Sequence, residues 1–189
     1  MAVARGSHTT ALWPVAKGVK PALLVIDMIV DFTTGRLGSA AARGIVPTVR
    51  RTIHAARQAK IPVIYVQDAH RRADPELAVW GPHAMAGSQG AATHPALIPQ
   101  RGEPVVRKRA LSGFFRTPLE RLLRARRVDT VVLTGIATEY CVQHMAADAH
   151  FRGFRVKVVQ DATAGLTPRA KRAALAYMRK TYGAEMLSS

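Results

Sequence analysis

The sequence predicts a three-layer α/β/α fold on a parallel sheet of five or six strands, and three observations predict it. Short, unbroken apolar runs recur along the chain, as in strands covered on both faces. Between them lie segments whose apolar residues fall three and four apart, the spacing of amphipathic helices. Strand and helix therefore alternate, and alternation implies parallel strands joined by helical crossovers on both faces of one sheet, the Rossmann-like layering.

Residues 22–26 (ALLVI) form the first such run, and Ile45, Val49, Ile53 and Ala56 follow at helical spacing. Residues 61–66 (IPVIYV) read as a second buried strand, with Pro62 near its start, where proline is tolerated. Residues 104–106 (PVV) are a short third. Thr117, Pro118 and Glu120 then mark a helix start: a capping hydroxyl, a proline at the first helical position and a carboxylate at the third. Leu119, Leu122 and Leu123 give that helix its inner face. The fourth strand, residues 131–133 (VVL), ends at Thr134 and Gly135, and from about Glu139 the pattern is helical through Val142, Met145, Ala146 and Ala149 up to Gly153. Residues 155–159 (RVKVV) are the fifth strand. Thr167 and Pro168 open a last helix, closed near Gly183, and residues 184–187 form a short sixth strand.

At 189 residues the chain suits one domain with room for a full core. Residues 1–20 read as a loose arm and 21–189 as the domain. No apolar run approaches the ~20 residues of a membrane span, and the first residues lack the apolar centre of a secretory signal. A single cysteine cannot close an internal disulfide, which fits a reducing, cytoplasmic setting. The net charge of +16 raises the question of nucleic acid. The cations are dispersed, however, and the densest stretch, residues 101–127, carries no recognisable DNA- or RNA-binding motif. A basic nucleic-acid-binding module is therefore the remote alternative.

In parallel α/β sheets ligands bind beyond the carboxyl ends of the strands. Here Asp27, Asp68, Lys108, the turn holding Cys141, and Asp161 follow five strands in succession, so that edge reads as an active site. Cys141 falls in the first turn of a helix, where unpaired N–H groups and the dipole favour an anion. Its thiol is then expected to ionise more readily than a free one; a buried structural cysteine is the competing reading. The connection from Asp68 to Arg101 far exceeds the usual ~2–6 residues. It begins Asp68-Ala69-His70 and contains Trp80 and His83. Side chains two apart in extended chain face one side, so Asp68 and His70 can reach one ion, with His83 completing the set. Such a site suits Zn²⁺ or Fe²⁺. A solvated loop pair is the plainer reading of the same residues.

A thiol, a carboxylate and an ammonium at one edge meet the needs of a cysteine hydrolase: a nucleophile, a base for its proton and a charge to hold the thiolate. Five segments in order carry a resemblance: ALLVIDMIVDF around Asp27, DAH at Asp68, WGPHAMAGSQGA around His83, VVRKRALSGFF around Lys108 and TGIATEYCV around Cys141. From about residue 22 to 183 the chain resembles the isochorismatase-like cysteine hydrolases, most closely their nicotinamidase branch. The resemblance implies a catalytic triad of Asp27, Lys108 and Cys141, an oxyanion hole from the N–H groups of Ala137 and Cys141, and a cis peptide at Ile136–Ala137. It implies a zinc or iron ion on Asp68, His70 and His83, aromatic walls at Phe32 and Trp80, and a homo-oligomer, dimer or tetramer. The implied reaction is hydrolysis of nicotinamide to nicotinate and ammonia through a thioester. A related amidohydrolase acting on a ureido, carbamoyl or other small amide is the alternative. The cysteine argues for a C–N bond, since the isochorismate-cleaving branch works without a thiol nucleophile.

The chain departs from the family pattern at Ile29, where many members have Gln, and at Glu139, where Asn or Asp is common. The further histidine of some nicotinamidases is missing after His70, with Glu76 nearby. Of the other polar residues, Asp31 is expected to brace the first loop, Asp161 to be structural, and His144 either to lie on the surface or to pair with Cys141. Phe114 and Phe115 belong to the core or line the pocket.

Overall fold

The computed structural model describes residues 18–189, so residues 1–17 of the expected arm lie outside them. Among the described residues six strands form one parallel sheet: β1 (Pro21–Ile26), β2 (Val63–Asp68), β3 (Val105–Lys108), β4 (Thr130–Ile136), β5 (Arg155–Ala164) and β6 (Glu185–Leu187). Their spatial order is β3-β2-β1-β4-β5-β6. The helices are α1 (Val30–Thr33), α2 (Ala40–Gln58), α3 (Glu76–Trp80), α4 (Leu119–Ala125), α5 (Gln143–Phe151) and α6 (Pro168–Tyr182).

Successive strand side chains point to opposite faces, and the core divides accordingly. Ala22, Leu24 and Ile26 of β1 pack with Leu119 and Leu123 of α4, Met145 and Ala149 of α5, and Met178 of α6. Leu23 and Val25 pack on the other face with Ile45, Val49 and Ile53 of α2. Every residue of β2 and β4 is buried, as two covered faces require. Each such Val, Leu or Ile contributes roughly 1.5–3 kcal/mol by leaving water, so truncating Leu24 or Leu133 to alanine would cost about 2–5 kcal/mol.

The helix ends follow their local chemistry. The Ser39 hydroxyl accepts the Ala42 N–H at the start of α2, and Thr167 does the same for Ala170 at α6. Gly183, at φ 62, stops α6 in the left-handed conformation. The Thr117 hydroxyl accepts the Leu119 N–H at 3.1 Å, and α4 begins one residue later than the capping pattern predicts. The long connection after β2 holds α3 and two single turns at Gln89–Ala91 and Pro95–Leu97, elements too short to show periodicity.

One strand end is corrected. β5 continues past its apolar run to Ala164, regaining its pairing with β4 after a register shift between Leu133 and Gly135. Asp161 therefore lies inside β5 rather than at its end, and its carboxylate accepts the N–H and hydroxyl of Ser189. It is structural, as expected, but it is not part of the reactive edge. At that edge Gly135 matters most. It sits at φ +113, and a Cβ there would fall 1.9 Å from the Ile26 carbonyl oxygen. Only glycine lets β4 close on the end of β1, one residue before Asp27.

Candidate active site

β1, β2, β3 and the turn after β4 deliver four functional groups to one buried cluster. Lys108 Nζ lies 2.8 Å from Asp27 Oδ2, 2.5 Å from Asp68 Oδ1 and 3.5 Å from Cys141 Sγ. Asp27 Oδ1 accepts the Asp68 N–H at 2.8 Å, while its own N–H donates to the Val66 carbonyl at 2.9 Å. Asp27 holds φ 50, a left-handed conformation that costs a non-glycine residue roughly 1–2 kcal/mol. Its Oδ2 is the oxygen that faces the Lys108 ammonium. Carboxylate oxygens of Asp27 and Asp68 and the Cys141 sulfur all lie within 4.8 Å of one another.

Burial sets the proton affinities here. It pushes the Asp27 carboxyl up to about 6, with the Asp68 charge adding and Lys108 opposing. Burial works against a charged Lys108, but Asp27 and Asp68 outweigh it and hold the ammonium protonated. Asp68 is pulled down by Lys108 and His70 in spite of its own burial. Cys141 differs from expectation. Burial, reinforced by Asp27 and Asp68, lifts its thiol well above the ordinary value although Lys108 opposes. Burial thus works against a preformed thiolate, and the Asp27 carboxylate lies close by to take the proton.

Cys141 sits in a single π-helical turn, Thr138–Val142, that leads into α5, with the Val142 N–H donating to the Ala137 carbonyl at 3.1 Å. The Ile136–Ala137 peptide is cis, and the Ala137 N–H meets no backbone acceptor among the described residues. Both N–H groups of the expected oxyanion hole thus belong to the turn that presents the sulfur.

Beside this cluster lies a second. Donor atoms of Asp68, His70, Glu76 and His83 all fall within 4.8 Å of one another. His83 Nδ1 donates to the Gly81 carbonyl at 2.7 Å, and His70 Nδ1 faces Asp74 Oδ2 at 3.2 Å. Neither oxygen can donate, so each ring carries a proton on Nδ1, which leaves Nε2 as the nitrogen that can ligate. Nε2 of His70 is buried without a hydrogen-bond partner, 3.5 Å from Asp68 Oδ2 and 3.8 Å from Glu76 Oε2. Two carboxylates and two inward imidazoles around an orphaned nitrogen fit a divalent cation. Burial disfavours a charged His70 ring, but Asp68 and Asp74 outweigh it and raise its pKa, so a cation competes with a proton there.

Between the two clusters opens a cavity of about 140 Å³ lined by Cys141, Ala137, Asp68, His83, Phe32 and Trp80 among others. The Phe32 ring stands 5.5 Å from that of His83, and Trp80 meets Tyr140 edge-on at 5.3 Å. All the expected site residues therefore meet at one place. Leu37, Leu111, Tyr140 and Leu166 also wall the cavity, and the sequence reading missed them. Apolar residues on loops carry no local signal. Glu76 is a further addition, foreshadowed only by its place after the missing histidine. Phe114 packs into the core and Phe115 is exposed; Leu111 lines the cavity in their stead.

Supporting residues take plain roles. Asp31 accepts the Ala84 N–H at 2.7 Å and braces the His83 loop. Glu139 accepts the Leu166 N–H at 2.7 Å, using its extra methylene to reach a cavity wall. Ile29 packs with Ala84 and Ala91. His144 donates to the Tyr140 carbonyl on the surface and forms no pair with Cys141. No helix among the described residues is long and apolar enough to cross a membrane.

A parallel sheet covered on both faces, whose carboxyl edge gathers a thiol, an ammonium and carboxylates over a small cavity, defines a hydrolytic enzyme of the three-layer α/β kind. The isochorismatase domain matches residues 21–189, and the chain belongs to the isochorismatase family. A nicotinamidase/pyrazinamidase of Mycobacterium tuberculosis is 32% identical over 184 residues, covering 89% of this chain and 98% of that protein. The N-carbamoylsarcosine amidase of Thermoplasma acidophilum superposes with a TM-score of 0.85 at 41% identity, over 90% of this chain and 96% of that one. The pyrazinamidase of Pyrococcus horikoshii, in complex with zinc, superposes with a TM-score of 0.82 at 28% identity, over 90% of this chain and 99% of that one.

Proposed function

We propose that this chain is a cysteine-dependent amidohydrolase of small neutral aromatic amides, with nicotinamide, hydrolysed to nicotinate and ammonia, as the preferred substrate. The convergence of Asp27 and Lys108 on Cys141, which lines an aromatic-walled cavity, supports this reading. As the Cys141 sulfur attacks the amide carbon, Asp27 takes the thiol proton. A carboxyl raised to about 6 is ionised at neutral pH yet a stronger base than an ordinary aspartate. The fixed Lys108 charge favours the sulfur as it becomes anionic. The N–H groups of Ala137 and Cys141 receive the oxyanion, each worth about 3–4 kcal/mol in such sites. Asp27 returns the proton to the departing nitrogen as the C–N bond breaks, leaving an acyl thioester on Cys141. Asp27 then draws a proton from water, which attacks the thioester and frees the acid and the thiol.

Asp68, His70 and His83, joined by Glu76, would hold a zinc or iron ion, which would supply a positive, Lewis-acidic point to fix a ring nitrogen. Phe32 and Trp80 would flank the ring.

The likeness to an N-carbamoylsarcosine amidase favours a second reading, a carbamoyl substrate that carries a carboxylate. No Lys or Arg lines the cavity among the described residues, and Lys108 beneath it is already engaged by Asp27 and Asp68. Unless it reached the ion those metal residues would hold, a substrate carboxylate would lose its water without gaining a cation, at a cost of several kcal/mol. That favours the neutral amide. Ammonia release is the test, measured on nicotinamide and N-carbamoylsarcosine with wild type and Cys141→Ala. Turnover of nicotinamide that vanishes in the variant is expected. Nicotinamide left intact while N-carbamoylsarcosine is consumed would overturn the substrate, and activity surviving in Cys141→Ala would overturn the mechanism.

A further inference from the structure

Asp74 is buried, yet it lines no part of the cavity and lies outside the set of four inward donors. It stands in the turn between β2 and α3, and its carboxylate collects donors from three directions. His70 Nδ1 approaches Oδ2 at 3.2 Å, and the Arg71 N–H donates to the same oxygen at 2.8 Å. The Arg109 guanidinium grips it from the far side, with Nε at 2.9 Å from Oδ1 and Nη2 against the same oxygen. Arg109 directly follows Lys108 at the tip of β3. One carboxylate therefore touches both the ring that faces the candidate metal centre and the strand end that carries the candidate triad lysine.

The chemistry of these contacts is one-sided. An ionised carboxylate only accepts, so the His70 nitrogen that faces it, Nδ1, carries a proton, and Nε2, buried and unpartnered, is the nitrogen left to ligate. A ring held by a carboxylate on one nitrogen is a stronger and better-aimed ligand on the other. The Arg109 fork in turn fixes the carboxylate in two dimensions, which a single-point ammonium would not do.

We propose that Asp74 is the positioning residue of a metal centre: it accepts from His70 Nδ1 and so turns Nε2 toward the metal position and, through Arg109, ties the metal loop to the end of β3 beside Lys108. This rests on reading Asp68, His70, Glu76 and His83 as metal ligands. A mere loop brace would occupy the same place, and the two roles part in measurement. A brace acts on the stability of the metal-free protein; a positioning residue acts on metal affinity in protein that is equally folded.

The experiment is zinc affinity by competition with a chromophoric chelator at fixed pH, alongside thermal melts of the metal-free proteins. Asp74→Ala is expected to weaken zinc binding by about 10–100-fold. Asp74→Asn keeps an oxygen that can accept from His70 Nδ1, and is expected to recover most of that loss. Arg109→Ala leaves the Asp74–His70 contact in place and should weaken zinc less than Asp74→Ala. If Asp74→Ala does not fold, Arg109→Ala still decides, since it should bind zinc more weakly than wild type while Asp74→Asn stays close to it. Wild-type zinc affinity in folded Asp74→Ala, or in Arg109→Ala where Asp74→Ala does not fold, would overturn the positioning role while leaving the metal centre intact. Failure of the wild type to bind zinc at all would remove the metal centre and this inference with it.

Discussion

Lys108 Nζ sits 2.5 Å from Asp68 Oδ1, while the other oxygen of that carboxylate turns to His70 at 3.5 Å. Asp68 thus belongs to both halves of the site. One oxygen offsets the buried ammonium that stands against Cys141, and the other faces the imidazole of the metal set. The arrangement explains why Asp68 stays ionised in the interior: burial alone would raise its pKa, but a cation lies on one side and an imidazole on the other.

Removing the cation should expose how much the cluster depends on it. Lys108→Met leaves Asp27 and Asp68 as two carboxyls in a buried site with no ammonium, and breaking a buried pair in this way costs about 3–5 kcal/mol. A large drop in melting temperature is expected, smaller at low pH, where the carboxyls can take up protons. Wild-type stability at neutral pH in this variant would show that the charge cluster does not operate as described.

Asp27 gives a pH signature. Its folded value, about 6, lies above the ordinary carboxylate range because burial and Asp68 oppose ionisation. The base form therefore fills as pH rises through about 6, and kcat/KM should climb over the same interval with its acid limb centred there. The stability term has the opposite sense. A raised folded value favours the folded state below the ordinary aspartate pKa, and that contribution is lost as pH rises through 6. Activity is thus gained where Asp27 costs stability. A pH–rate profile with its acid limb near 4 would exclude Asp27, in the environment described, as the base.

Much of this site was legible in the sequence because the sheet is covered on both faces. Unbroken apolar runs mark such strands, and a charged residue ending each run stands out, which is how Asp27, Asp68 and Lys108 were found. The same rule misplaced Asp161, because β5 extends through QDATA, a polar stretch held by pairing after a register shift rather than by hydrophobicity. The thiol's local cue and its tertiary surroundings pull in opposite directions for a related reason. Its helix-start position is local and readable, but the burial and the two carboxylates that raise its pKa arrive from other strands. Leu37, Tyr140 and Leu166 were unreadable as cavity walls, since only tertiary structure brings their loops together.

Chelation should act on stability as well as turnover. A metal held by the folded protein alone stabilises it by about 2.7 kcal/mol when its concentration is a hundred times Kd. Stripping with chelator is expected to lower the melting temperature and nicotinamide turnover together, with zinc or iron restoring both. Because a proton competes at His70, the restoring ion should be needed at higher concentration as pH falls. Melting curves and turnover indifferent to chelator and to both ions would dismiss the metal.

The apolar wall offers the most specific test of substrate charge. Leu111 lines the cavity, and among the described residues no Lys or Arg shares that lining. Leu111→Lys would put an ammonium at the wall while leaving Asp27, Lys108 and Cys141 untouched. Its long stem can lie along the apolar wall while the charged end stays near the mouth. A neutral amide gains nothing from that charge and loses apolar contact, so KM for nicotinamide should rise severalfold. A carboxylated amide gains a side-chain cation, and a hydrogen bond to a charged group is worth about 1.5–3 kcal/mol. The ratio of kcat/KM for N-carbamoylsarcosine to that for nicotinamide should therefore rise by roughly 10-fold or more. An unchanged ratio would mean that wall charge does not set the preference, and the neutral-amide reading would lose its physical basis.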